Sequence, residues 1–184
     1  MLTIGRNFPE FKLTGVFSED APFDEDYEDG GAFREVTNAT YSGKWIVLFS
    51  WPKAFSPLCP LEVIEFSRLN SKFEESNAQV LGVSTDSDVV LDAWRKSNED
   101  LNKSPFPMLS DVKHELSRSL GIINIDAGVC NRATFIVDPK GVIRHVSVND
   151  LTIGRNIEEV LRILQALQAD GATPCDWQEG DIPI

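Results

Sequence analysis

The chain has 184 residues, of which 42% are hydrophobic and 25% charged, a composition typical of a globular protein with one domain and a substantial core. Its formal net charge of −12 argues against nucleic acid as a partner, because phosphate binding requires clustered Lys and Arg. No apolar run approaches the roughly 18 residues of a membrane span, and the first residues lack a secretory signal, so the sequence predicts no membrane association and a cytoplasmic location.

Much of the negative charge lies in one segment near the N-terminus. Ser18–Ala32 contains seven acidic residues and no basic one. A run of like charges is usually a solvated surface loop. The alternative interpretation is a contact surface for a basic partner protein.

The first strong strand signal leads directly to a cysteine. The apolar run Lys44–Trp51 is typical of a strand covered on both faces, and Pro52 ends it because a central strand cannot accommodate proline. Pro60 suits the first turn of a helix, so Cys59 is expected beside a helix N-terminus, which favours the thiolate. A helix terminus contributes only about 0.3–1 kcal/mol. We therefore expect an arginine from elsewhere in the chain to stabilise the anion further.

Alternating helices and strands follow Cys59. One apolar stripe predicts a helix, since its members recur at spacings of three and four: Val63, Phe66, Leu69 and Phe73. Ala78–Asp86 is predicted to be a strand. A helix is predicted over about 87–98, with an inward face of Val90, Ala93 and Trp94.

The C-terminal half contains a predicted short helix over 112–120 and two strands, Ala133–Asp138 and Val142–Asn149. The sequence DPKG between these strands indicates a hairpin turn. The second strand is therefore expected to pair antiparallel with the first and to have one face more exposed to solvent. The last helix has Asn156 as its N-cap and Gly171 just beyond its end, and its apolar face comprises Ile157, Val160, Leu161, Leu164 and Leu167. The tail beyond it is expected to lie outside the core. This alternation predicts an α/β sandwich around a mixed sheet.

The three cysteines, Cys59, Cys130 and Cys175, are far apart in the sequence. They form neither a C-x-x-C pair nor a cluster with histidine, which argues against a structural zinc site. An odd number of cysteines in a reducing compartment also argues against a disulfide scaffold. Any functional role would therefore be that of a reactive thiol, although a single buried cysteine is more often a packing residue.

The segment WPKAFSPLCPLE, residues 51–62, resembles the P-x-x-x-T/S-x-x-C signature of the peroxiredoxins. Other segments follow in the order of that family, among them VLGVSTDS, PFPMLSD, NRATFIVDPKG, GRNIEEVLRILQALQ and PCDW. The resemblance covers nearly the whole chain and is greatest for the bacterial alkyl hydroperoxide reductase C group. It implies a thioredoxin-like α/β sandwich in which helices flank a mixed central β-sheet.

The resemblance maps the family's active-site residues onto Pro52, Ser56, Cys59 and Arg132. It implies that Cys59 is the peroxidatic nucleophile, which attacks a peroxide oxygen and becomes a sulfenic acid. Arg132 would hold the thiolate and, with the Ser56 hydroxyl and nearby backbone N–H groups, receive the charge on the departing oxygen. Pro52 would shield the site from water, and Glu62 would orient the arginine.

The resemblance also implies that Cys175 of a partner subunit is the resolving cysteine, which forms an intersubunit disulfide with Cys59. A disulfide requires Cα atoms within about 4.4–6.8 Å of each other. We therefore expect the first turn after Cys59 to unwind and the tail to rearrange in each cycle. The chain would divide into a thioredoxin-fold peroxidase domain, residues 1–170, and a C-terminal tail, residues 171–184, that carries Cys175.

The predicted function is that of a thiol-dependent peroxidase acting on hydrogen peroxide, alkyl hydroperoxides or peroxynitrite without a cofactor or a metal. Its expected partners are a thiol reductant (thioredoxin, a flavin-linked reductase or an adapter thiol protein) and further copies of itself, in a homodimer that assembles into a ring. The alternative is a non-enzymatic redox-sensing relay or chaperone-like ring. Cys130 has no counterpart in the motif and is interpreted as a small apolar core residue or, alternatively, as a wall of the site.

Overall fold

The structure, a computed structural model, describes residues 1–18 and 31–184. The acidic segment Ser18–Ala32 lies outside the described residues except at its ends. The strands are β1 Lys12–Val16, β2 Phe33–Thr37, β3 Trp45–Ser50, β4 Ala78–Ser84, β5 Met108–Ser110, β6 Ile123–Asn124, β7 Val129–Cys130, β8 Arg132–Val137 and β9 Ile143–Asn149. The helices are α1 Cys59–Arg68, α2 Asn70–Glu75, α3 Asp88–Lys96, α4 Glu99–Asn102, α5 Glu115–Leu120 and α6 Ile157–Gln168, and a 3-10 helix spans Asn38–Tyr41.

The described residues form a seven-stranded sheet in the order β2-β1-β5-β4-β3-β8-β9 and a separate ribbon of β6 and β7. β3 and β5 run parallel to β4, whereas the other neighbours in the large sheet pair antiparallel. The Asp138 carboxylate accepts hydrogen bonds from the backbone N–H groups of Lys140 and Val142 at 2.9 and 3.0 Å, which fixes the turn between β8 and β9. The predicted mixed sheet and its closing hairpin are confirmed.

Strands β1, β2 and β5 were not predicted from the sequence. They have only five, five and three residues, and β2 alternates between exposed and buried side chains at the edge of the sheet. Runs this short produce a weak periodic signal, because a strand pattern needs about four to eight residues to be recognised. Their place in the sheet is set by pairing with distant strands.

The helix predicted after Cys59 is confirmed, but it is interrupted at Leu69 and forms α1 and α2. In α3 the prediction that Val90 and Ala93 face inward is wrong, since both are exposed. The buried residues of α3 are Leu91, Trp94 and Arg95. Arg95 is only 1% exposed, and its guanidinium donates to the carbonyls of Ser104 and Phe106. Such backbone acceptors allow a cation to occupy the inner face, which a pattern of apolar residues alone does not predict.

The last helix agrees with its prediction. The Asn156 side chain accepts a hydrogen bond from the Glu159 backbone N–H at 3.1 Å, as an N-cap does. The tail differs from its prediction in one respect, because Trp177 is only 4% exposed. Arg162 of α6 donates to the Trp177 carbonyl at 3.1 Å. The tail is therefore attached to the domain at Trp177, while Cys175 nearby is exposed.

Alternate side chains of the central strands enter two apolar clusters on opposite faces of the sheet. Phe49 belongs to the cluster that contains Cys59, together with buried residues of α1, α2, α3 and α6. Leu48 belongs to the second cluster, which contains Cys130 and buried residues of α5. The two buried cysteines thus lie on opposite faces. In residues 1–18 and 31–184, no helix is long and apolar enough to cross a membrane.

Candidate active site

Cys59 is the first residue of α1, which confirms its predicted place at a helix start, and it is fully buried. Pro60 occupies the first turn, where its missing N–H costs no hydrogen bond. The Cys59 backbone N–H donates to the Ser56 hydroxyl oxygen at 3.4 Å. Ser56 thus lies directly beside the thiol, and its own hydroxyl proton can be donated to another acceptor.

The expected cation beside the sulfur is Arg132, the first residue of β8. Its Nη1 lies 3.4 Å from Cys59 Sγ. Its Nε donates to the Leu151 carbonyl at 2.8 Å, which holds the guanidinium in place. Because β8 pairs with β3, the strand that leads into the loop before Cys59, the sheet brings the two residues together across 73 positions of sequence.

Glu62 lies one turn after Cys59 on α1 and is bonded to two arginines. Arg132 Nη1 donates to Glu62 Oε2 at 2.6 Å. Arg155 binds the same carboxylate through Nε at 2.9 Å, Nη2 at 2.8 Å and its backbone N–H at 3.0 Å. The side chains of Glu62, Arg132 and Arg155 are at most 4% exposed. We call these three residues the buried Arg–Glu–Arg cluster.

Arg155 was not predicted as a site residue, although the segment GRN is among the motifs that resemble the peroxiredoxins. Arg155 precedes the N-cap of the last helix, where a charged residue is usually solvated. Its partner Glu62 is 93 positions away, and its guanidinium also lies 5.2 Å from the centre of the Phe49 ring. The one feature of the sequence that could have indicated Arg155 is its place just before the apolar face of the last helix. That feature does not identify Glu62 as its partner.

The buried Arg–Glu–Arg cluster carries more positive than negative charge. Burial alone would raise the pKa of Glu62, but the hydrogen bonds and charge of Arg155, together with the charge of Arg132, hold it below its ordinary value. Burial lowers the pKa of Arg155, an effect that the hydrogen bond and charge of Glu62 oppose. The guanidinium group of arginine is a cation in proteins. Two cations and one anion leave a net positive charge beside Cys59 Sγ.

Pro52 is buried at the start of the loop that leads from β3 to α1. The adjoining residue, Trp51, is fully buried and contacts Phe49, with ring centroids 5.6 Å apart. These residues place an apolar wall at the sheet end of the loop. The structure thus brings Ser56, Cys59, Glu62 and Arg132 into direct contact and places Pro52 in the same loop.

Residues 4–146 match the model of the AhpC/TSA family. The chain is 47% identical to alkyl hydroperoxide reductase C of Mycolicibacterium smegmatis over 184 residues, which cover 100% of this chain and 94% of that protein. The chain belongs to the AhpC/TSA family, the peroxiredoxins. The recognised resemblance is confirmed, and the protein is a thiol-dependent peroxidase.

Solved structures of related proteins support the same assignment. Mycobacterium bovis AhpC is 45% identical, with a TM-score of 0.85 over 97% of this chain and 99% of that chain. The reduced 2-Cys peroxiredoxin of Plasmodium vivax is 30% identical, with a TM-score of 0.86 over 99% of this chain and 92% of that chain. The predicted thioredoxin-like sandwich of this peroxiredoxin is therefore confirmed.

Cys175 is not part of the cluster around Cys59 in a single chain of this peroxiredoxin. The structure describes all three cysteines as free thiols; Cys59 is buried and Cys175 exposed. Cys175 is followed by Asp176, whose φ of 58° is left-handed, and the Trp177 N–H donates to the Pro174 carbonyl at 3.3 Å. Cys175 therefore lies in a surface turn just before the attached Trp177.

Cys130 is a core residue and not a wall of the site. It is fully buried in the apolar cluster on the face of the sheet opposite to Cys59. Burial, reinforced by the negative charge of Asp111, raises the pKa of the Cys130 thiol to about 12. Its thiol is therefore protonated at neutral pH and a poor nucleophile.

We expect an alkylating reagent to modify Cys175 of the reduced native protein promptly and Cys130 only after unfolding, as mass spectrometry of the digested protein would show. Replacing Cys130 with alanine should leave the peroxide reaction unchanged and lower the free energy of unfolding by about 1 kcal/mol. Alkylation of Cys130 at a rate similar to that of Cys175 would contradict the assignment of Cys130 to the core.

Proposed function

We propose that this peroxiredoxin reduces hydrogen peroxide, alkyl hydroperoxides or peroxynitrite through a sulfenic acid on Cys59 and an intersubunit disulfide with Cys175. The observation that carries the proposal is the contact of 3.4 Å between Arg132 Nη1 and Cys59 Sγ at the first residue of α1. The cation and the helix start both favour an anionic sulfur. A thiolate is the form that attacks peroxides.

In the first step, the Cys59 thiolate attacks one oxygen of the hydroperoxide and the O–O bond breaks. The attacked oxygen stays on sulfur as the sulfenic acid, and the other leaves as an alkoxide or hydroxide that takes up a proton to become alcohol or water. Arg132 Nη1 and the Ser56 hydroxyl can donate hydrogen bonds to the departing oxygen. Pro52 and the apolar wall beside it limit the access of water.

In the second step, the thiol of Cys175 from a partner subunit attacks the sulfenic sulfur, which forms a disulfide and releases water. Cys59 is fully buried in the reduced form, so α1 must unwind at its first turn before the two sulfurs can meet. Residues 171–184 would then be the segment that delivers Cys175. A thiol reductant, either thioredoxin, a flavin-linked reductase or an adapter thiol protein, would return both cysteines to the reduced state.

The peroxide step can be tested directly by stopped-flow measurement of the reduced protein. Cys59 should react with hydroperoxide roughly a thousandfold faster than free cysteine, which corresponds to about 4 kcal/mol of transition-state stabilisation. Cys59→Ser should abolish the fast phase. A wild-type rate equal to that of free cysteine would instead favour a non-enzymatic role, as a redox relay or a chaperone-like assembly.

The disulfide step is tested by adding one equivalent of peroxide and running a non-reducing gel. We expect a disulfide-linked dimer of the wild-type protein that is absent from Cys175→Ser, because that variant lacks the resolving thiol. Cys130→Ala, which removes a thiol from the opposite face of the sheet, is the matched control and should still form the dimer. A dimer that persists in Cys175→Ser would contradict the assignment of the resolving cysteine.

A further inference from the structure

We propose that Asp86 is a positioning residue that holds the loop of residues 52–58 in its peroxide-reactive form and thereby governs the rate of disulfide formation. We call this segment the active-site loop. Asp86 follows β4 and has no assigned role in the reaction. The proposal deepens the proposed function, on which it rests, by naming what controls the transition between its two steps.

Asp86 is fixed from several sides in the body of the fold. Its Oδ2 accepts a hydrogen bond from the Ser84 hydroxyl at 2.8 Å, and its carbonyl accepts one from the Ser110 hydroxyl, also at 2.8 Å. Ser84 and Ser110 are the last residues of β4 and β5, which pair in the centre of the sheet. Asp86 is therefore a rigid anchor at the end of these two strands.

The same carboxylate oxygen reaches the active-site loop. Asp86 Oδ2 accepts a hydrogen bond from the backbone N–H of Ala54 at 2.8 Å. Ala54 lies between Pro52 and Ser56. Within the described part of the chain, no other hydrogen bond joins the backbone of residues 53–57 to another strand or helix. The bond is charge-assisted, and such bonds are stronger than those between neutral groups.

The loop needs such an anchor because the next residue is strained. Phe55 has φ = 57°, in the left-handed region that bulky side chains rarely adopt. Phe55 is 60% exposed, so it gains little packing energy in exchange. The bond between Asp86 and Ala54 immediately precedes this residue. Its loss would favour forms of the loop in which Phe55 returns to an ordinary backbone conformation.

The two steps of the proposed reaction require opposite states of this loop. Attack on peroxide needs the folded loop, which places Ser56 beside the Cys59 N–H at the start of α1. Disulfide formation needs the loop and the first turn of α1 to open. The bond between Asp86 and Ala54 is present in the folded loop, and in the proposal it breaks when the loop opens. Its removal therefore shifts the equilibrium toward the open state and speeds the second step.

The test compares the two rate constants in Asp86→Ala and Asp86→Asn. We expect disulfide formation, measured by rapid quenching and non-reducing gels, to be about tenfold faster in Asp86→Ala, with Asp86→Asn in between because its amide oxygen still accepts a weaker bond. The peroxide step should be unchanged or slower in both variants. A rate of disulfide formation equal to or below that of the wild type in both variants would overturn the proposal.

Two control variants separate a local anchor from general destabilisation. Asp88→Asn removes a carboxylate two positions away that accepts from the Val89 N–H and does not touch the loop. Leu120→Ala opens a cavity in the apolar cluster on the opposite face of the sheet. We expect neither to speed disulfide formation. An acceleration in Leu120→Ala equal to that in Asp86→Ala would assign the effect to global stability and overturn the proposal.

Hydrogen exchange of the reduced protein gives a readout that does not depend on peroxidase activity. The Cys59 amide, which donates to the Ser56 hydroxyl in the folded loop, should exchange about tenfold faster in Asp86→Ala than in the wild type, while amides of β4 keep their wild-type rates. If the wild-type protein forms no disulfide with Cys175, the proposed function fails and the exchange result still decides the role of Asp86. Unchanged exchange of the Cys59 amide would overturn that role.

Discussion

Replacing Arg132 with methionine is expected to slow the reaction of Cys59 with hydroperoxide by about 10²- to 10³-fold at neutral pH, the loss seen when one oxyanion donor is removed. The variant removes the guanidinium that lies 3.4 Å from Cys59 Sγ. Methionine fills a similar apolar space, and Glu62 keeps its bonds to Arg155. The loss of rate should therefore occur in a folded protein.

Two measurements separate the roles of Arg132. The alkylation rate of Cys59 reports how much thiolate is present, whereas the peroxide rate also reports the stabilisation of the departing oxygen. We expect both rates to fall in Arg132→Met, and the peroxide rate to fall further. Arg68→Met, which removes a half-exposed arginine from the same helix as Cys59, is the control. Arg132→Met with the wild-type peroxide rate would remove the basis of the proposed mechanism.

Replacing Glu62 with alanine is expected to lower the free energy of unfolding by about 3–5 kcal/mol, the cost of leaving buried charges without their partner. The change leaves Arg132 and Arg155 facing each other without the carboxylate that both of them bind. Their side chains are only 4% and 2% exposed, so water cannot easily replace it. Denaturant unfolding of the reduced protein would measure the loss.

The contribution of the Glu62 charge should also depend on pH. The pKa of Glu62 in the folded protein is below 4.5, its ordinary value in an unfolded chain. Its contribution to stability is therefore fully present above pH 4.5 and is lost as the pH falls through the lower folded-state pKa. The difference in unfolding free energy between the wild type and Glu62→Gln should be constant near neutral pH and shrink in acid.

Glu65→Gln is the matched control for both Glu62 variants. Glu65 lies on the same helix and pairs with Arg68, but its side chain is 39% exposed. An exposed ion pair contributes at most about 1 kcal/mol, so Glu65→Gln should change stability little. An effect of Glu62→Ala no larger than that of Glu65→Gln would show that the buried Arg–Glu–Arg cluster does not stabilise the fold.

Local sequence patterns were sufficient to predict the core of this fold. The strands β3, β4, β8 and β9 and the stripe along α6 were recognised because each has a long apolar run or a clear helical period. The position of Cys59 at a helix start followed from two prolines, Pro52 and Pro60, whose backbone restrictions act on neighbouring residues. These signals lie within a few residues of the features that they predict.

The residues next to Cys59 in the sequence indicate that a cation must stabilise its thiolate, but they do not identify which arginine supplies it. The resemblance to the peroxiredoxins indicated Arg132, and the structure places it in contact with the sulfur. The resemblance did not indicate a role for Arg155 or Asp86. The helical period predicted that Val90 of α3 is buried, whereas Val90 is exposed and Arg95 of the same helix is buried.

The sequence alone predicted that the fold is an α/β sandwich and that Cys59 lies at the start of a helix that follows a buried strand. These features depend on residues that are neighbours in the sequence. The tertiary structure was needed to show which charged side chains surround the Cys59 thiol. Arg132 and Arg155 meet Glu62 across 70 and 93 positions, and Asp86 meets Ala54 across 32. Such contacts are set by strand pairing and helix packing, and no local period or propensity encodes them.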